Sequence, residues 1–516
     1  MSERRQRRRR RQRSPDSGRK ADSGIPQLPS ADTRSPFAPL AALSAEQVEQ
    51  IHDASMRLLE EQGIEVLSAR ARALFRQAGA DVDESSCVVR GPRELFLQAL
   101  GHAPESFTLT PRNPRRAITI GGDHIHFGFV SGPPNIHDRV NGRRQGNIAD
   151  YRRLLSLAQY FNVITFLGNQ ATAPVDLPAN TRHLDTYREA FMLTDKVFSA
   201  VPIGTGRVRD AVEMAALARG MSVPDLAADP TMITNININS PRRIDESMAD
   251  AAIYMAEHGQ AVIVTPFTLM GAMTPATLSG ALVQQNAEAV FGLAMVQLAG
   301  PGAPCVYGGF TSNVDMRSGA PAFGTPENAL ANVAGGQLAR RYGLPYRSSA
   351  CNAANTVDAQ AVYESQAALW GAVMGHANII YHAAGWLEGG LVASFEKVVI
   401  DVESLQAMAR FLRPVEVSEN EIGLDAIAEV GPGGHFFGAA HTMARYRDAF
   451  YQPLLSDWRN HESWEQAGAH DAAERATAIW QKALQEFEPP PLDPARRDAL
   501  DDYVARRREA IGNDEP

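Results

Sequence analysis

Two short loops hold the side chains in this sequence best suited to chemistry. The run 351–358, Cys-Asn-Ala-Ala-Asn-Thr-Val-Asp, offers the carboxamides of Asn352 and Asn355 and the carboxylate of Asp358. After an apolar run at 377–381 come His382, Trp386 and Glu388. Other apolar runs end in similar residues: Asn169 and Gln170; Asn237, Asn239 and Ser240; Thr265, Phe267 and Met270; Tyr307, Phe310, Asn313 and Asp315. This is an inventory of amides, aromatics and a few carboxylates, with no lysine in these loops before Lys397. Phosphate anchoring is not indicated, and no Asp/His cluster has metal-ligand spacing. Such a set suits a cation without transferable protons. Aromatic faces attract a quaternary ammonium by about 0.5–2 kcal/mol per desolvated contact. Trp386, with Phe129, Phe267 and Tyr307, is expected to hold the ammonium; His382, Asn352 and Asn355 orient a polar tail. His382, Asp358 and Glu388 are the catalytic candidates. Each residue also has a plain reading. His382 serves function or structure equally well, Trp386 fits a capping role, Asp358 precedes a helix as an N-cap would, and Asp315 fits a turn.

The elements that must position these loops follow a β/α rhythm. From about 147, runs at 163–167, 197–203, 232–238, 261–266, 304–307, 345–349 and 377–381 alternate with helical patterns, and a weaker eighth run lies at 398–400. Seven or eight such units argue for a parallel sheet with helices outside, and eight close a (β/α)8 TIM barrel. Side chains just past each strand then share one bowl. A doubly wound open sheet is the alternative, but no G-x-G-x-x-G follows an early strand. The expected organisation is an Arg-rich disordered tail at 1–40, N-terminal helices and a β-hairpin at 41–146, the barrel at 147–402 and a helical extension at 403–516. The hairpin joins 117–120 to 124–129 through Gly121-Gly122-Asp123. Ser44-Ala-Glu-Gln47 reads as a capping box opening the first helix.

Composition narrows the class. The 516 residues, 44% hydrophobic and 21% charged, are those of a soluble globular enzyme. Residues 1–20 carry nine Arg and one Lys against Glu3 and Asp16; that +8, set against −9 for the whole chain, leaves −17 for the rest. The body therefore shows no nucleic-acid footprint. No run is long enough for a membrane span and no secretory h-region follows the arginines. Three scattered cysteines exclude a disulfide framework. The cytoplasm is the expected compartment, and all three are read as core residues.

Several segments, in order, resemble the trimethylamine methyltransferase family. They are Thr274-Pro-Ala-Thr-Leu-Ser-Gly280 with Gln285-Asn-Ala-Glu288; Pro301-Gly-Ala-Pro-Cys-Val-Tyr-Gly-Gly309; Asp315-Met-Arg-Ser-Gly319; Phe323-Gly-Thr-Pro-Glu327; Tyr342-Gly-Leu-Pro345; Asp358-Ala-Gln360; Tyr363-Glu364; Gly431-Pro-Gly-Gly-His435; and His441-Thr442. The resemblance spans about 45–510. It implies a TIM barrel that moves a methyl group from a methylated amine to the cobalt of a corrinoid held by a separate small protein. No cofactor is then expected to stay on this chain, and a homo-oligomer is implied. Members acting on trimethylamine carry pyrrolysine in the loop corresponding to 351–357, where this chain has ordinary residues. Members without it include glycine betaine:corrinoid methyltransferases. A quaternary nitrogen leaves as a neutral amine and needs no electrophilic handle, so the expected donor is a quaternary amine. Direct methyl transfer to a folate acceptor and non-catalytic amine binding are the alternatives.

Overall fold

The computed structural model describes residues 25–512. The arginine-rich stretch 1–20 lies outside the described residues. Residues 25–40, expected to be disordered with it, instead run along the body. Ile25 is buried, the Leu28 N–H donates to Gln406 Oε1, and Thr33–Arg34 pairs antiparallel with Ile125 and His124. This segment contributes backbone hydrogen bonds, which its polar composition did not advertise.

The fold is mixed α/β around a curled parallel sheet. Eight of its parallel strands, in chain order, are His124–Phe129, Ile164–Phe166, Phe198–Ala200, Met232–Ile238, Ala261–Met270, Cys305–Gly308, Tyr346–Ser349 and Ile379–Ala384, and Phe310–Val314 pairs parallel with the end of the fifth. The second pairs with the first, the first with the eighth, and pairing then runs back from the eighth to the third. One bridge, Phe166 to Val197, sets the second strand beside the third, with the Leu167 N–H donating to the Val197 carbonyl at 2.9 Å. A helix follows each strand: Ile148–Tyr160, Arg182–Leu193, Thr205–Arg219, Glu246–Glu257, Leu278–Ala299, Pro326–Arg341, Ala359–Met374 and Phe395–Phe411.

Two expectations are corrected. Residues 124–129 are not half of a hairpin. Ile118–Ile120 pairs antiparallel with Phe107–Leu109 instead, and His124–Phe129 is the first strand of the main sheet. Nearly every residue of that strand is buried, which requires cover on both faces, as parallel strands have and a two-stranded ribbon lacks. Residues 398–400 are not a strand. Phe395, Val398, Val399, Val402 and Leu405 are buried at helical spacing, and the Ser394 side chain caps the helix by accepting from the Lys397 N–H at 3.3 Å. The β-branched Val-Val-Ile run disguised that period.

The extensions dock on the helical layer. The Ser44–Gln47 capping box forms. Phe75 stacks on Phe291 of Leu278–Ala299 at 4.3 Å, and Phe96 joins them. At the other end of the chain, Trp480 donates to Glu396 and packs tilted against Phe395 at 4.9 Å. The last helix, Pro494–Gly512, is pinned through buried Asp210, which accepts from His183 (2.9 Å), Tyr503 (2.7 Å) and Arg507 (2.7 Å). Among the described residues no helix is long and apolar enough to cross a membrane.

Asp210 gives a testable consequence. Burial alone would raise its pKa, but the bonds from His183, Arg507 and Tyr503 outweigh burial and hold it below the ordinary range. A depressed carboxylate contributes stability that is present above the unfolded value near 3.9 and lost as pH falls through the folded value. Hydrogen exchange should therefore show Pro494–Gly512 losing protection below about pH 4. Asp210→Asn should loosen the same helix at neutral pH, costing about 3–5 kcal/mol. Unchanged protection in the variant contradicts this.

Candidate active site

Inward-facing side chains form layers along the sheet axis. Lowest is an apolar plug of Phe166, Ile233, Ile263, Val306, Ile379 and Tyr381, packed against Leu109, Ile118 and Ile120 of the small ribbon. Next lies a polar layer. Thr265 donates to Asn235 at 2.7 Å, and Ser199 Oγ and Tyr381 OH are 3.0 Å apart. At the carboxyl ends of the strands sits an aromatic cluster. Phe310 lies 5.1 Å from Phe267, 5.4 Å from Phe323, 5.7 Å from His382 and 6.5 Å from Trp386, by ring centroids. His382 and Trp386 are 4.0 Å apart.

His382 reaches this cluster through its backbone. Strand alternation would turn it away from Tyr381's face. Its φ of 57° is left-handed, and the register shifts between Ile380 and Ala384, so both side chains face inward. A non-glycine residue held there costs about 1–3 kcal/mol. Ser349 Oγ lies 3.3 Å from His382 Nδ1. Burial first, then the nearby Arg347 charge, pushes the imidazole well below its usual range. His382 therefore favours the neutral form at pH 7 and presents an aromatic and polar edge to the cluster.

Trp386 is clamped by Asn352. The indole Nε1–H donates to the Asn352 carbonyl at 3.1 Å, and Asn352 Nδ2 donates to the Trp386 carbonyl at 2.7 Å. Asn352 also donates to Ser365 at 3.0 Å, and Lys397 Nζ donates to the same hydroxyl at 2.9 Å and pairs with Asp401. Burial pushes Asp401 up against the pull of Lys397, and its second oxygen accepts the Gly385 N–H. The loop bearing Trp386 thus rests on a buried polar chain.

The other expected residues lie elsewhere. Phe267 joins the cluster. Tyr307 faces the helices, its hydroxyl donating to Asn286 at 3.1 Å. Phe129 is in the outer core, since Gly128 takes the inward position where a Cβ would strike the Phe166 ring. Asn355 is exposed. Asp358 caps Ala359–Met374, accepting from the Gln360 and Ala361 N–H groups. Glu388 accepts from Arg143 at 3.0 and 3.1 Å. Cys305 and Cys351 are buried thiols, each pushed up to about 12 by burial, whereas Cys87 sits half-exposed in a turn rather than in the core. Asp32, His124 and His126 bring one possible ligand atom each within 4.8 Å at the opposite, amino end of the sheet, a grouping hidden by 92 residues of separation between Asp32 and His124.

Arg347 is the site residue that strand-end reasoning missed. It sits inside the seventh strand, 1% exposed. Nη1 donates to the Gly309 carbonyl at 3.2 Å; the guanidinium carbon lies 5.3 Å from the Phe310 centroid and 4.8 Å from that of Tyr381; Nε has no partner. Burial pushes it down to about 10, so it remains charged at neutral pH. The sequence signal was available: in Tyr-Arg-Ser-Ser, a charge within a strand flanked by helices has no solvent face to use.

The family model described as trimethylamine methyltransferase (MTTB) matches residues 4–512. A glycine betaine methyltransferase of Desulfitobacterium hafniense (strain Y51) is 36% identical over 465 residues, covering 90% of this chain and 96% of that protein. A trimethylamine methyltransferase of Desulfitobacterium hafniense (strain DSM 10664 / DCB-2) is 29% identical, covering 86% and 89%. A proline betaine:corrinoid methyltransferase of Eubacterium limosum is 27% identical, covering 88% and 95%. Among solved structures, the Methanosarcina barkeri monomethylamine methyltransferase (MtmB) overlays with a TM-score of 0.44 at 11% identity, covering 86% of this chain and 93% of that one.

The buried imidazole can be checked directly. By NMR, the His382 ring should stay neutral as pH falls through the ordinary histidine value near 6.5. Because the unfolded histidine gains a proton below about pH 6.5 and the folded one does not, this group lowers stability as pH falls through that range. A ring titrating near 6.5 contradicts the packing. Asn352→Ala, which leaves the Trp386 carbonyl short of a donor, should cost about 1–3 kcal/mol in denaturant unfolding.

Proposed function

Because the chain belongs to the trimethylamine methyltransferase family, we propose that it moves a methyl group from a quaternary, or tertiary, methylated amine to the cobalt of a corrinoid carried by a separate protein. The resemblance drawn from the ordered sequence segments holds, and the chain is a methyltransferase of the amine:corrinoid type. Glycine betaine and proline betaine are the donors named for two of its relatives. One observation carries the reading: Phe267, Phe310, Phe323, His382 and Trp386 converge at the carboxyl ends of the parallel strands. Aromatic faces bind a quaternary ammonium by its charge without hydrogen bonds, and burial there excludes water from the transfer path.

The sheet is read as a (β/α)8 TIM barrel. The unbroken parallel pairing and the Phe166–Val197 bridge support that closure. The barrel then begins at 124 rather than 147, with residues 41–123 as the N-terminal unit and 412–512 as the C-terminal extension. The reduced corrinoid supplies the two-electron nucleophile. The chain's own residues hold the ammonium in line: Phe267, Phe310 and Trp386 surround it, His382 presents a neutral edge, and Asn352 positions Trp386. The pocket needs no acid, because the amine departs neutral; this fits Asp358 and Glu388 being committed elsewhere. A homo-oligomer is part of the reading. The arm past the last barrel helix supports it, since Val415 (88% exposed), Phe437 (84%) and Phe450 (76%) leave apolar surface uncovered. A cytoplasmic location is proposed with it.

Incubated anaerobically with a reduced corrinoid carrier, the chain should release the demethylated product of glycine betaine or another quaternary amine faster than that of trimethylamine. His382→Ala should slow release about 100-fold by misplacing the donor. Asp358→Asn, which keeps the cap, should stay within about twofold. Tight ligand binding with no methyl lost from any amine would establish the binding-protein alternative instead. Sedimentation should show more than one chain per particle; a monomer at micromolar concentration removes the oligomer.

A further inference from the structure

An aromatic cage for a cation usually has an acid nearby to balance the charge. Here the acids around the bowl are all engaged. Glu388 holds Arg143, Asp358 caps a helix, Glu364 accepts the Ala353 N–H and Gln360, and Asp401 holds Lys397 and the Gly385 N–H. The ionised group bordering the cage is itself a cation. Arg347 touches Phe310, the ring at the centre of the cluster, and among the described residues no carboxylate pairs with it.

A buried guanidinium with a single carbonyl acceptor is an unfinished ion pair. Its planar fork presents parallel N–H donors matched to a carboxylate, and its Nε is buried without a partner. Leaving one member of a buried pair alone destabilises a fold, so a protein that keeps it has a use for the missing partner. We propose that Arg347 anchors a carboxylate carried by the substrate, so that the methyl donors of this site are zwitterionic quaternary-ammonium carboxylates, glycine betaine among them. This deepens the methyl-transfer reading above and takes from it only the identity of the bowl as the donor site.

Phe310 fixes the relation between the two ends. In glycine betaine one methylene separates the charges. A carboxylate on Arg347 therefore leaves the ammonium on the Phe310 side of the guanidinium, toward Phe267, His382 and Trp386. The same charge selects against simple cations: choline or tetramethylammonium would meet a buried positive charge and bring nothing to neutralise it. On transfer the C–N bond breaks, its electron pair stays on nitrogen, and the methyl carbon bonds to the acceptor nucleophile. The tertiary amine that remains still carries its carboxylate, held by Arg347.

The test is calorimetric titration of the full chain with glycine betaine, its methyl ester and choline, alongside product release with the reduced corrinoid carrier. Wild type should bind the zwitterion at least 100-fold tighter than the ester or choline. Arg347→Gln should shrink that ratio to below tenfold without lowering the thermal midpoint, because an uncompensated charge has been removed. Arg347→Lys, which keeps the charge and loses the fork, should fall between them. Equal binding of acid and ester by wild type, failure to bind any of the three, or an undiminished ratio in either folded variant overturns the proposal. Binding of the zwitterion by Arg347 without methyl release leaves the anchor standing and removes the methyl-transfer reading. Equal methyl release from acid and ester does the reverse.

Discussion

Arg347 brings a full positive charge into the interior of the sheet, where one carbonyl and two aromatic rings are its company. Most of what surrounds it follows from accommodating that charge. Tyr381 and Phe310 offer ring faces in place of an acid. Burial first, and then the Arg347 charge, hold the His382 imidazole toward its neutral form. A cage for a quaternary ammonium built beside such a charge makes chemical sense if the ligand brings its own anion. In that reading the substrate completes the electrostatics of the site, and the fold bears a local penalty until it arrives.

The backbone shows the same division of labour. Left-handed φ at His382 breaks strand alternation and places two consecutive side chains in the bowl. Such a conformation persists because its surroundings over-determine it. Trp386 and Asn352 clamp each other, Asn352 is held by Ser365, and Ser365 by the Lys397–Asp401 pair. That chain links the ends of the seventh and eighth strands to the helix behind them. The cluster itself is mostly aromatic, and the Lys397–Asp401 pair sits one layer back, where it holds the loop bearing Trp386.

How much of this was legible follows from what each residue's spacing reveals. The helices after 147 and seven of the parallel strands carried clear periodicity. The first strand did not: Gly121-Gly122-Asp123 is a strong hairpin signal, and only burial on both faces of His124–Phe129 overrides it. Residues 398–400 resemble a strand because a β-branched run hides a helical period in so short a window. His382, Trp386, Phe267 and Asn352, read from their position after strands, lie in or against the aromatic cluster. Tyr307 and Phe129 were misplaced because position along a strand does not give the face, which alternates residue by residue. Arg347 sits within its strand rather than at its end, so position after a strand does not reveal it. Asp358 and Glu388 looked chemical by type, but a helix N-terminus and Arg143 had already claimed them.

A crystal of the chain grown with glycine betaine examines the pairing of cage and guanidinium most directly. The expected density places the ligand carboxylate within about 3 Å of the Arg347 nitrogens, with the methyl groups against Phe310, His382 and Trp386 and one methyl pointing out of the bowl. A ligand bound with its carboxylate turned to solvent, or seated away from Arg347 altogether, contradicts it.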